Sequence, residues 1–303
     1  MPSRSPRHPS APTPAGRGAP LRRRTLLSLP ALGALGLAAT ACADQEEGLD
    51  PVDPQASRPA QGRTAYGEGP SQFGDLYLPE GEPRGVVVVL HGGFWRAEYG
   101  LDLGQPLAES LAEQGWAAWN LEYRRVGTGA AGGGGVPETL DDVAAGIDAL
   151  RDLGLDLTTV VTLGHSAGGH LATWAASRGR FEPWAGGVEV THVVSQAGVV
   201  DLGGAARQDL GGGAVQAFLG HDYGPDDAPV DPLAQVPLDV PVWCVHGSED
   251  TIVPVSQSET YVDAAVAAGA RAELVRVEGD HFVVIDPDSE AWTATLAVLD
   301  SIA

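Results

Sequence analysis

Residues 159–176 constrain this chain more than any other stretch. Thr159-Val160-Val161-Thr162-Leu163 is β-branched and aliphatic, as a parallel strand buried on both faces should be. Gly164-His165-Ser166-Ala167-Gly168 follows, and residues 168–176 read as an apolar helix. The pattern is strand, tight turn, helix, with Ser166 at the apex. Glycines two positions to either side suit a turn that is strained and brings strand and helix close together. A strand feeding directly into a helix also asks for parallel neighbours, and so for a covered sheet.

The rest of the chain answers that demand. Residues 64–66 and 72–78 alternate polar and apolar and read as an opening antiparallel hairpin. Residues 85–90 hold four consecutive valines, a buried strand that runs into His91-Gly92-Gly93-Phe94-Trp95. A helix over 103–114 tolerates Pro106 in its first turn. A strand over 116–123, a glycine-rich loop over 127–135 and a helix over 138–153 precede the Ser166 turn. After it come strands over 191–196, 240–246 and 272–277, a helix over 256–268 and a closing helix over 286–302. The alternation predicts an α/β fold, a mostly parallel, doubly wound sheet in one domain spanning 64–303. Residues 203–237 break the rhythm with glycine clusters, Asp226-Asp227, Pro225, Pro229 and Pro232, and one amphipathic piece at 214–219. Their place in the chain suits either a small cap over the strand ends or a solvated excursion.

The first 63 residues are of another kind. Residues 1–20 are Pro, Ser, Ala and Gly with scattered Arg, too polar to fold. Arg22-Arg23-Arg24, an apolar run over 25–37 and small residues up to Ala41 form an export signal over 1–41. Arg23-Arg24-Thr25-Leu26-Leu27 resembles a twin-arginine signal, the alternative being a plain secretory one. Cys42 after Ala39-Thr40-Ala41 resembles a lipoprotein cleavage box, in which the cysteine is lipidated. The alternative is conventional cleavage near Ala41 or Ala43. Residues 42–63 are acidic and Pro-rich, a flexible linker. The expected destination is export, at the cell surface, in the periplasm or outside.

Charge narrows the partners. The net charge is −22, and removing residues 1–41 takes away six arginines and no acid, leaving −28. Such a surface repels nucleic acid and anionic membranes. Membrane contact is expected only through an anchor at Cys42. No lysine occurs, which excludes Schiff-base chemistry. Cys244 sits in an apolar strand as a core residue. No Cys or His spacing suggests a metal site, nothing implies a cofactor, and the glycine run at 132–135 lacks the Lys-Ser/Thr of a phosphate loop.

A serine hydroxyl is a poor nucleophile unless a histidine takes its proton and a carboxylate orients that histidine. Downstream, His246-Gly247-Ser248-Glu249-Asp250 follows a strand and offers Asp250 as the acid, with Glu249 as its neighbouring alternative. Gly279-Asp280-His281-Phe282 follows the last strand and offers His281 as the base. His246 reads as structural, and His165 and His170 as packing residues beside the nucleophile. Acyl transfer further needs backbone N–H donors for an oxyanion. Ala167 supplies one, and Gly93 or Phe94 in the glycine loop the other.

His91-Gly92-Gly93-Phe94-Trp95-Arg96, Asn120-Leu121-Glu122-Tyr123-Arg124-Arg125, residues 164–172, Asp250-Thr251-Ile252-Val253-Pro254 and Gly279–Phe282 together resemble the α/β-hydrolase-fold esterase/lipase group. More narrowly, the chain is similar to the branch with an HGG-aromatic-Trp loop, which includes kynurenine formamidases and BD-FAE-type feruloyl or acetylxylan esterases. The resemblance implies a serine ester hydrolase with Ser166, Asp250 and His281 as its triad and a small-molecule ester as substrate. It also implies scaffold roles for Glu122 and the Arg pair. The alternatives are an arylformamidase, and a binding protein on a retired hydrolase scaffold.

Overall fold

The computed structural model describes residues 61–302, so the export signal, Cys42 and nearly all of the linker lie outside the described residues. Eight strands form one sheet: β1 (Gly62–Ala65), β2 (Phe73–Tyr77), β3 (Val86–Leu90), β4 (Ala117–Leu121), β5 (Val160–His165), β6 (His192–Gln196), β7 (Val242–Gly247) and β8 (Ala272–Val277). Their order is β1-β2-β4-β3-β5-β6-β7-β8. The opening hairpin and the β2–β4 pair are antiparallel, and every other pairing is parallel. The α/β-hydrolase fold expected from the sequence is the one formed.

Helices α1 (Gln105–Glu113), α2 (Glu138–Asp148), α3 (Ala167–Ala175), α4 (Leu202–Arg207), α5 (Ala214–Leu219), α6 (Ser256–Ala267) and α7 (Glu290–Asp300) cover both faces. The strand period of two divides β3 between them. Val86, Val88 and Leu90 join the core beneath α2, α3 and α6, while Val87 and Val89 join the core beneath α1 and α7. That double burial is why the four valines show no polar alternation. Among the described residues no helix is long and apolar enough to cross a membrane.

Three expectations shift. The helix expected over 138–153 stays α-helical only to Asp148 and tightens into a 3-10 turn over Ala149–Asp152. The closing helix begins at Glu290, not at 286, because Pro287 holds Asp286 extended. Ser289 then caps it, accepting from Trp292 N at 2.9 Å. Residues 203–237 are more ordered than their composition suggests, holding most of α4, all of α5 and 3-10 turns at Pro225–Val230 and Pro232–Gln235. Asp201 caps α4 through Gly204 N at 2.6 Å. Gly203 and Gly204 hid that helix, being poor helix formers.

Candidate active site

The Ser166 turn is sterically determined. Ser166 has φ +57° and ψ −118°, a strained conformation for a residue with a side chain. A Cβ on Gly164 would stand 2.0 Å from Gly168 O, and one on Gly168 would stand 2.0 Å from Leu90 O. Only glycine lets β5, α3 and the end of β3 meet at this spacing. Ser166 N donates to Gln196 O at 2.9 Å, and Val199 N to Ser166 O at 3.2 Å, which pins the turn to β6 and the loop after it.

Asp250 lies in the turn after β7. Its Oδ1 accepts from Ile252 N and Val253 N, both at 2.8 Å, while Oδ2 stands 2.6 Å from His281 Nδ1. The Asp250 side chain is fully buried, whereas Glu249 is exposed. A carboxylate only accepts, so His281 Nδ1 carries the proton and Nε2 is left as the acceptor. Burial works to raise the Asp250 pKa. Hydrogen bonds from His246 and His281, the attraction of His281 and the Val253 N–H outweigh it and hold the carboxyl well below the usual range.

The neighbouring histidines brace this pair. His246 Nε2 donates to Val253 O at 2.9 Å and lies 3.2 Å from Asp250 Oδ2, so it grips both ends of the acid turn. His165 Nε2 donates to His281 O at 2.9 Å, with the two rings 4.5 Å apart. Burial, reinforced by the nearby His281, pushes the His165 pKa down to about 3, so a neutral ring faces His281. His170 is buried too, donating to Val230 O at 2.8 Å.

The glycine loop after β3 is held in unusual backbone. Gly93, Phe94 and Trp95 have φ of +111°, +53° and +55°. Beneath it, Glu122 accepts from His91 Nε2 at 3.1 Å, from Tyr123 N at 2.9 Å and from Arg125. Tyr123 stacks on His91 at 4.4 Å and donates its OH to His91 O at 2.6 Å. The Arg pair divides: Arg125 joins Glu122, while Arg124 clasps Asp142 at 2.7 and 2.8 Å. Burial raises the Glu122 pKa, but the His91 and Arg125 contacts more than offset it and lower the value. Among the described residues, the N–H groups of Gly93, Phe94 and Ala167 donate to no protein acceptor.

Ser166 and His281 line one cleft of about 180 Å³, walled by Gly93, Phe94, Tyr99, Leu103, Ile252, Phe282 and Ile285. No hydrogen bond closes Ser166 Oγ to His281 Nε2, so of the two links only that from His281 to Asp250 is made; such contacts tighten when substrate docks. A larger depression of about 330 Å³ lies by His192, Trp243 and Arg271 at the opposite strand ends; its serine, Ser301, donates to Val298 O at 2.6 Å. The grip of His246 on Asp250, the bond of His165 to the His281 carbonyl, and Tyr99 as a wall were not legible in the sequence. Each depends on which loops share the sheet edge.

Known proteins resemble this chain over the same region. It is 28% identical over 238 residues to the isoprenylcysteine alpha-carbonyl methylesterase ICME of Arabidopsis thaliana, covering 71% of this chain and 54% of that protein. It is 27% identical over 226 residues to esterase LipC of Mycobacterium tuberculosis, covering 66% and 54%. The chain thus spans about half the length of the curated relatives it matches. Among solved structures, the propionate-bound thermophilic esterase Est2 of Thermogutta terrifontis aligns with a TM-score of 0.64 at 25% identity, over 80% of this chain and 93% of that one. The BD-FAE profile matches residues 75–264, taking in Ser166 and Asp250 and stopping before His281, and the chain belongs to that family.

Proposed function

We propose that this protein hydrolyses small, uncharged carboxylic esters through an acyl-enzyme. Ser166 Oγ attacks the ester carbonyl and gives its proton to His281 Nε2. The carbonyl oxygen becomes an oxyanion facing the N–H groups of Ala167 and of Gly93 or Phe94. His281 passes its proton to the departing alcohol, leaving Ser166 acylated. A water, deprotonated by His281, then attacks the acyl carbon and releases the acid. Asp250 keeps the proton on Nδ1 throughout and stabilises the imidazolium that forms in each half-reaction.

The 2.6 Å Asp250–His281 contact, with His281 beside Ser166 in one cleft, carries this reading. The apolar walls, with no Asp, Glu or Arg among the side chains lining the cleft, support an uncharged substrate of limited size. Ser166→Ala should lower kcat for p-nitrophenyl acetate by more than about a thousandfold. Undiminished turnover would overturn the assignment. A preference for N-formylkynurenine over phenyl acetate would move the reading to an amidase. Export by the signal over 1–41, with a lipid on Cys42, is the localisation we attach to this activity, supported by the basic, apolar and small-residue order of that segment.

A further inference from the structure

Residues 202–237 line no part of the cleft, yet they are fastened to the loop that carries the proposed oxyanion donors. The Arg96 guanidinium donates to Gly211 O. The same group sits 5.4 Å from the centre of the Phe94 ring, within reach of a cation–π contact. Among the described residues no carboxylate pairs with Arg96, so this carbonyl and this ring are the partners of its charge. Gly211 belongs to a left-handed run: Asp209, Gly211, Gly212 and Gly213 have φ of +51°, +64°, +64° and +77°. A Cβ on Gly211 would stand 2.6 Å from Phe94 ring carbons, so the bare backbone is packed against that ring. Seven residues further on, Phe218 of α5 stacks on Trp95 at 4.6 Å and 17°.

Phe94 and Trp95 hold positive φ without being glycine, a conformation that persists only where the surroundings over-determine it. On one side the main chain supplies that constraint, since Val126 N donates to Trp95 O at 2.7 Å and Ala97 N to Val126 O at 2.9 Å. On the other side the constraint comes from Arg96, Gly211 and Phe218.

We propose that Arg96 is a positioning residue that ties segment 202–237 to the oxyanion loop and keeps the Gly93 and Phe94 N–H groups in place. The segment is then a fixed brace, not an opening lid. This rests on the ester-hydrolase reading above.

The test compares Arg96→Met and Arg96→Lys in the full chain. Met keeps an apolar stem and removes charge and donor, while Lys keeps one donor for Gly211 O. With p-nitrophenyl acetate, Arg96→Met should lose between about tenfold and about a hundredfold in kcat, the scale of a misplaced catalytic group, with KM within about twofold. Arg96→Lys should recover most of that loss. Hydrogen exchange of the bonded loop amides of Arg96, Ala97 and Val126 and of the amides at 209–219 should quicken together in Arg96→Met. An unchanged kcat, a loss carried by KM alone, or a Lys variant no better than Met would overturn the proposal. So would a parent protein whose 209–219 amides exchange freely while those of Arg96, Ala97 and Val126 stay protected. If Ser166→Ala retains turnover, the ester-hydrolase reading fails instead, and the exchange data still decide whether the brace exists.

Discussion

Replacing Asp250 with Asn changes almost no volume and removes one acceptor. In the native turn Oδ1 takes the Ile252 and Val253 N–H groups at 2.8 Å each, while Oδ2 faces His281 Nδ1 at 2.6 Å and His246 Nε2 at 3.2 Å. An amide has only one oxygen. Two backbone donors hold it at the Oδ1 position, which leaves the NH₂ facing two ring nitrogens that already carry protons. His246 keeps its second acceptor, Val253 O. His281 has no second acceptor at Nδ1, so its proton moves to Nε2, the atom that must receive the Ser166 proton. In Ser-His-Asp enzymes the wrong tautomer costs about 10⁴ in kcat, or about 5.4 kcal/mol. We therefore expect a loss of about 10⁴ in kcat for p-nitrophenyl acetate, read beside thermal unfolding to confirm a folded variant. Glu249→Gln, at an exposed position, serves as the control and should stay within about twofold of the parent. An Asn variant within about tenfold of the parent, or a loss that follows Glu249, would refute the reasoning.

Acid should destabilise the domain through its buried histidines. Burial pushes the His170 pKa down to about 4 from 6.5. As pH falls below 6.5 the unfolded chain takes up a proton that the native ring refuses until about pH 4, so stability drops across that window, by up to about 3 kcal/mol. His170→Gln keeps a donor for Val230 O and does not titrate, so its melting temperature should fall less between pH 7 and pH 4.5; equal slopes would sink the argument. On the proposed export and lipidation, Cys42→Ala should move the protein from the membrane fraction to the soluble one, and a variant that stays membrane-bound would rule out lipid attachment there.

The sheet was legible because buried strands advertise themselves: four valines at Val86–Val89, and β-branched runs before Ser166 and after Thr191, the first two each followed by a helix-period stretch. The Ser166 turn was equally legible, since the 2.0 Å approaches at Gly164 and Gly168 admit no side chain. Where the reading slipped, local chemistry misled it. Gly203-Gly204 looked like loop and became helix once Asp201 capped it and Leu202 and Ala205 entered the core. The Arg124-Arg125 pair, read as scaffold beside Glu122, divides: Arg125 joins Glu122 and Arg124 joins Asp142, a partner the sequence did not point to. His246, read as structural, grips the backbone of the acid turn and reaches the carboxylate as well.

The order of elements, the need for glycine around Ser166 and the residue types able to move a proton are properties of the amino-acid string, since each follows from local sterics or from chemistry that one side chain carries. Which carboxylate faces His281, whether Gly93 and Phe94 present free N–H groups, and what residues 202–237 hold were decided only by the fold. Those answers depend on distances between segments some 30 to 115 residues apart in sequence, from Asp250 to His281 and from Arg96 to Gly211. A residue's type says what it can bond to, and the packing of the sheet edge decides what comes within reach.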